Sequence, residues 1–440
     1  MIDATTAPPV ASTGLRTRGH DRAVAQVRTM IAGRTPHALL ISGPPGVGKT
    51  TLALDLAAGL LCDDPNPAAR PCRACRACRL VDRGLHPDVH RLAPSGPADQ
   101  IRIGDRDRPD PGTVRRLSSD LVLLSVEGGA RVAILERADR LTDDAQTALL
   151  KTLEEPPSGV TIVLCADDEE RLMPTVRSRC TRIRLGPVAI REIEAILAAM
   201  DVAEPPLAAR LARLASGRPG VARTLALAPE AVAARDEIAR TLLDLLATGP
   251  AARLAAARDL AARAGDLARA LDRATGGAAG EAPAARPRGG RGRTVATSGG
   301  ASTSGASTSV EPAEPVPSGD DGDDDEAPAA SASAADRRRA VANVIGIWRD
   351  LVRDLLLVRL GDERQVRDPG LLDDLRAGAA RLRTSPNPAE ANGTNAANTD
   401  AGLAAFLARL DAVGELVEAN ARPELALDSL LLGWPRTGAE

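Results

Sequence analysis

Three groups of residues in this 440-residue chain have the types and spacing to do chemistry. The first is Gly43-Pro44-Pro45-Gly46-Val47-Gly48-Lys49-Thr50, spaced G-x-x-x-x-G-K-T. Glycines at these points let successive backbone N–H groups turn inward around a phosphate, and a helix starting at the lysine aims its positive end at the same place. Lys49 would reach the β- and γ-phosphates of a nucleotide, and Thr50 would hold Mg2+. A glycine-rich turn that binds nothing is the plainer alternative. The second group is Cys62, Cys72, Cys75 and Cys78, spaced C-x9-C-x2-C-x2-C. Four thiolates can close a tetrahedral structural Zn2+ site and leave no open position for catalysis. The interleaved arginines at 70, 73, 76 and 79 would help to neutralise them, and four free thiols in a loop would fit this spacing poorly. The third group is Glu136-Arg137-Ala138-Asp139 at the end of an apolar run. A carboxylate there, downstream of a phosphate loop, is placed for Mg2+, a role open to Glu136. Polarising water needs a second carboxylate, and Arg137 stands in its place; a guanidinium is no base at any working pH. A nucleotide held here is expected to be bound without efficient hydrolysis.

These residues need elements to hold them. Ala38–Ser42, the glycine loop and the Ala/Leu-rich stretch to about residue 61 read as strand, loop and helix. Arg131–Leu135, Val160–Cys165 and Thr181–Leu185 read as further strands, and the unbroken apolar runs among them suit a parallel sheet buried on both faces. Helices are expected from Gly19 to Ile31, from Val114 to Ser125, and after Thr142 until Pro156 stops the last. Residues 91–113 read as loop. His37, His86 and His90 are expected to be structural, and Cys165 and Cys180 to be small buried hydrophobes. From Gly186 onward the pattern is helical, interrupted at 275–335 and 384–400 by low-complexity sequence that cannot bury a core.

Composition narrows the function classes. The net charge is −3, and six acids lie between 320 and 326, so the folded part is near neutral and carries no strong footprint for independent nucleic-acid binding. Of 56 basic residues two are lysines, Lys49 and Lys151, and the rest are arginines. There is no Tyr, one Phe and two Trp, so Ala, Leu and Val must fill the cores. The absence of a signal peptide or a membrane-length apolar run reads as cytoplasmic, where cysteines are metal ligands or buried thiols before they are disulfides.

Leu149-Leu150-Lys151-Thr152-Leu153-Glu154-Glu155-Pro156-Pro157, followed by Ser178-Arg179-Cys180, resembles the bacterial clamp-loader branch of the AAA+ superfamily, whose zinc module the four cysteines match. The resemblance covers residues 19–228. It implies an α/β fold: a P-loop AAA+ parallel sheet with helices on both faces over 19–186, with the zinc module at 62–78. A helical lid at 187–228 and an all-α collar at 229–435 would follow, the collar carrying a disordered insert at 275–335, and residues 1–18 would be a disordered N-terminus. It also implies partners: the gamma/tau and delta subunits in a hetero-pentameric ring and, through that complex, the sliding clamp and primed DNA, with no membrane. Within the branch, three features depart from the motor subunits. They are Arg137, Cys165-Ala166-Asp167 where a Thr or Asn would sense the γ-phosphate, and Gly217-Arg218-Pro219-Gly220 where the lid arginine is expected. They imply the delta-prime kind of subunit, with ATP/Mg2+ bound but little hydrolysed and Arg179 offered in trans to a neighbour's γ-phosphate. The alternatives are a motor using Glu136 or Asp139 as its acid, a P-loop ATPase outside replication, and an Arg179 that merely forms a local ion pair.

Overall fold

The computed structural model describes residues 14–276, 333–383 and 400–435, except Pro97, Leu124, Gly128 and Asn420. The expectations for residues 1–13, 277–332 and 384–399 lie outside the described residues.

The first half alternates helices and strands: α1 (Asp21–Ala32), β1 (Ala38–Ser42), α2 (Lys49–Leu60), α3 (Arg76–Asp82), β2 (Val89–Leu92), α4 (Val114–Val122), β3 (Arg131–Leu135), α5 (Asp143–Glu154), β4 (Val160–Ala166), α6 (Pro174–Arg177) and β5 (Thr181–Arg184). The five strands form one parallel sheet in the order β2-β3-β4-β1-β5. The α/β expectation holds. Every residue of β1, β3 and β4 is buried, and successive side chains alternate between two cores. Leu39, Ile41, Val132, Ile134 and Val163 pack on one face, and Ala38, Leu40, Ala133, Leu135 and Ile162 on the other.

β2 corrects the reading of the sequence, which placed no strand between α2 and β3 and began a loop at residue 91. Val89-His90-Arg91-Leu92 pairs with β3 in register Val89↔Val132 to Leu92↔Leu135. As an edge strand it buries only Leu92 fully, so it lacks the apolar run that marks the central strands.

The lid is α7 (Ile190–Ala199), α8 (Pro205–Leu214) and α9 (Pro219–Leu227), and the collar is α10 (Pro229–Asp244), α11 (Pro250–Gly276), α12 (Ala334–Leu360), α13 (Leu372–Arg383), α14 (Asp400–Glu418) and α15 (Pro423–Gly433). The helical edges of the interruption reach further inward than expected, because Ser333 and Asp336 form a capping box that starts α12. The chain's entire complement of Phe, Tyr and Trp meets in the collar: Trp348, Phe406 and Trp434 have ring centroids 5.0–5.4 Å apart. Beside them the fully buried Arg253 donates to the carbonyls of Leu245 (3.0 Å), Trp434 and Pro435 (2.7 Å).

Lid and collar are tied by charge. Asp368, 2% exposed, accepts from Arg210 Nε of α8 at 2.9 Å and from Arg235 Nη1 of α10 at 2.7 Å, while Arg210 also grips Asp236 at 2.7 Å. Burial works to raise the Asp368 carboxyl, but the two guanidinium groups outweigh it and hold it below the usual carboxylate range. A folded-state value below the unfolded one adds stability above about pH 4 that is lost as pH falls through the depressed value. Asp368→Asn is therefore expected to cost about 2 kcal/mol at neutral pH by removing the carboxylate that Arg210 and Arg235 share, Arg210 keeping Asp236. The gap from wild type should close in acid, as measured by urea unfolding at descending pH.

Candidate functional site

The glycine loop leaves the buried end of β1 and delivers the chain into α2. Gly48 caps α2 with φ 112°, and Gly46 has φ 78°; both are left-handed conformations that side-chain-bearing residues avoid. A Cβ on Gly46 would stand 3.0 Å from Val221 Cγ2 of α9. The lid touches the loop directly there, with Gly220 N–H donating to Gly46 O at 2.8 Å. His20 braces the other side, its Nε2 lying 3.0 Å from Val47 O. The first-turn N–H groups of α2, Lys49 and Thr50 among them, have no acceptor within the helix, the condition that suits a helix start to an anion.

Lys49 is 7% exposed. Its Nζ donates to Gly43 O at 2.6 Å and Pro44 O at 2.8 Å, and pairs with Asp167 Oδ1 at 2.6 Å. Asp167 follows β4, and its own N–H donates to Asp139 Oδ1 at 2.8 Å. The structure thus brings Lys49, Asp167 and Asp139 together. Glu136, at the end of β3, is bound by Arg91 of β2 through Nε (2.7 Å) and Nη2 (2.6 Å). Arg137 adopts φ 51° and pairs with Asp99 at 2.7 Å. Cys165, buried on β4, has its thiol pushed up to about 12 by burial and then by Glu136, as befits an inert core residue. Arg218 of the lid donates to Ala215 O at 2.9 Å, within its own turn.

Arg179 lies at the other end of the sheet. β1 and β5 run parallel with Leu39 opposite Thr181, so the turn before β5 is separated from the loop after β1 by the strand length, about 13 Å at ~3.3 Å per residue. Arg179 pairs with Glu154 at 2.5 Å and donates to Thr175 O at 2.9 Å. Both partners of that ion pair are substantially exposed, at 35% and 49%, so the pair is worth at most about 1 kcal/mol and releases readily. The turn itself is fixed by α5. Gln146, 2% exposed, accepts from Met173 N–H at 2.7 Å and donates to Arg171 O at 3.3 Å. Reading the sequence missed Gln146 and the partner of Asp167, because each acts through a segment distant in the chain.

Cys62, Cys72, Cys75 and Cys78 bring their sulfurs within 4.8 Å of one another. A tetrahedral thiolate site with bonds of about 2.3 Å separates its sulfurs by about 3.8 Å, so small side-chain rotations close this set on one ion. Cys75 caps α3 and Cys78 sits in its first turn. Backbone N–H groups of residues 72, 75 and 78 donate to Cys62, Cys72 and Cys75 at 3.3–3.4 Å. Such donors hold Cys72 down to about 7, whereas burial pushes Cys62 and Cys78 up. A bound dication would keep all four ionised. The neighbouring arginines bond elsewhere: Arg73 to Asp55 and Asp82, Arg76 to Glu127, Arg70 and Arg79 to carbonyls. Asp55, 1% exposed on α2, accepts from Thr17 and Arg73 and fastens the module to the phosphate-loop helix. We expect one divalent ion per chain by elemental analysis, with Cys75→Ser and Cys78→Ser each lowering that stoichiometry towards zero.

The family described as "DNA polymerase III, delta subunit" matches residues 19–189. The chain is 36% identical over 195 residues to DNA polymerase III subunit delta' of Escherichia coli K12, covering 44% of this chain and 55% of that protein. Subunit delta' of Bacillus subtilis is 32% identical over 181 residues, covering 41% and 51%. Subunit tau of E. coli is 34% identical over 209 residues, covering 46% and 30%. The chain thus spans about half the length of the delta' relatives. No helix among the described residues is long and apolar enough to cross a membrane. Over residues 19–189, which hold the glycine loop, the four cysteines and Arg179, this chain is similar to the delta' and tau subunits of DNA polymerase III.

Proposed function

We propose that this chain is the delta-prime subunit of a cytoplasmic DNA polymerase III clamp loader. It joins gamma/tau and delta subunits in a hetero-pentameric ring that opens the sliding clamp and sets it on primed DNA. The observation that carries this reading is the placement of Arg179 on an exposed turn before the edge strand β5, a strand length away from its own phosphate loop. A guanidinium there cannot serve a nucleotide held by Lys49, but it can serve one bound to the subunit against which that edge packs. An arginine given in trans neutralises charge developing on the γ-phosphate and is worth roughly 10³–10⁵ in rate.

The other parts agree with a subunit that does little hydrolysis itself. Arg137, where a water-polarising carboxylate would stand, is engaged with Asp99. Glu136, the candidate Mg2+ ligand, is held by Arg91. ATP with Mg2+ at Gly43, Pro44, Pro45, Gly46, Val47, Gly48, Lys49 and Thr50 is then a bound ligand with slow turnover. The cysteine cluster takes Zn2+, the ion suited to a closed four-thiolate site, and holds the loop between α2 and α3 in shape.

In a ring reconstituted with its own gamma/tau and delta subunits, Arg179→Ala is expected to lower DNA-stimulated ATPase by about tenfold or more. Lys49→Ala should leave that rate within about twofold, since this loop is not the hydrolysing one. Lys49-dependent ATP turnover by the isolated chain, or full activity of the Arg179→Ala ring, would overturn the assignment in favour of a motor subunit.

A further inference from the structure

An ammonium group has three N–H donors, and in Lys49 two of them go to backbone carbonyls while the charge is paired with a carboxylate. Gly43 O takes one at 2.6 Å and Pro44 O a second at 2.8 Å, and Asp167 Oδ1 lies 2.6 Å from Nζ as its ion-pair partner. At 7% exposure the group has little water with which to exchange these partners. The carboxylate is built into this position. Ala166, one residue earlier, pairs with Ser42 at the end of β1 and accepts from Gly43 N–H at 3.2 Å, so Asp167 rides on the hydrogen bond that opens the glycine loop. Its own N–H is anchored to Asp139 Oδ1, a residue 8% exposed and flanked by Arg140, whose Nε lies 3.8 Å from Asp139 Oδ2.

We propose that Asp167 is an internal stand-in for phosphate: its carboxylate holds Lys49, and the loop admits a nucleoside di- or triphosphate only by displacing it. A phosphate approaching Lys49 must displace one of three short contacts and bring its own negative charge beside the Asp167 carboxylate. Asp167 is therefore a specificity residue that sets how tightly the loop holds nucleotide, and Asp139 positions it. This rests on reading Gly43–Thr50 as a phosphate loop and is independent of whether Arg179 acts in trans.

Isothermal titration of the isolated full chain with Mg2+·ATP and Mg2+·ADP tests it. Asp167→Asn removes the charge with little change of shape, and Asp167→Ser removes it differently. Each is expected to tighten binding at least tenfold over wild type, and adding Lys49→Ala should abolish the gain. Variants no tighter than wild type, a case that includes no detectable binding by either, would overturn the proposal, as would a gain that survives Lys49→Ala. The wild-type chain supplies a second measurement that needs no variant, because Lys49 and Lys151 are its two lysines. Brief amine acylation read by peptide mass spectrometry should label exposed Lys151 at least tenfold faster than Lys49. Equal labelling would show that the carboxylate does not hold the ammonium. Failure of the Arg179 assignment would appear in the reconstituted ring and leave these results unchanged.

Discussion

A strand hydrogen-bonded along both edges and buried on both faces has nowhere to put a polar side chain except at its ends, and β1 is such a strand. It pairs with β4 and β5 and is buried at every position. Its last residue, Ser42, gives its hydroxyl to Glu169 at 3.0 Å. Everything polar is therefore forced to the strand ends, and because all five strands run the same way the two ends differ in kind. The carboxyl ends of β1, β3 and β4 collect Lys49, Asp139 and Asp167 from three separate segments of the chain. The amino end of β5 carries Arg179. Parallel pairing alone thus separates the edge that carries the glycine loop from the arginine-bearing edge.

The central strands were legible because total burial writes an unbroken apolar run, and the lid and collar helices because one face of each is apolar at helical spacing. β2 was not legible: an edge strand that buries Leu92 and leaves Arg91 exposed carries no such run. The cysteine spacing foretold a cluster, and the structure closes the four sulfurs together. What spacing could not foretell was the use of the arginines among them, since Arg73 answers to Asp55 on α2 and Asp82 on α3. The same limit applies at the phosphate loop. Asp167 was visible as an unusual residue at the end of β4, but that it lies against Lys49 is a fact of strand order, not of local sequence.

The near-absence of lysine has a structural counterpart. A guanidinium offers five donors in a rigid fork, where an ammonium offers three around a point. The chain uses that fork to gather carbonyls that other proteins leave to caps or water. Arg131, 6% exposed, donates to Leu121 O and Leu123 O at the end of α4. Arg253 joins the end of α10 to the end of α15 from a fully buried position, through the carbonyls of Leu245, Leu431, Trp434 and Pro435. Such residues act less as charges than as brackets between chain segments, and a lysine in the same place would leave carbonyls unpaired.

The gathering of Trp348, Phe406 and Trp434 into one collar cluster makes the protein's optical properties strongly one-sided. With no tyrosine, near-ultraviolet absorption and intrinsic emission arise in the collar, and the indoles, 5.2 Å apart and crossed at 76°, behave as a coupled pair. The half that holds the parallel sheet is dark. A single tryptophan introduced near the phosphate loop would supply that half's own emission, to be read by difference against a collar signal that serves as an internal reference within the same molecule.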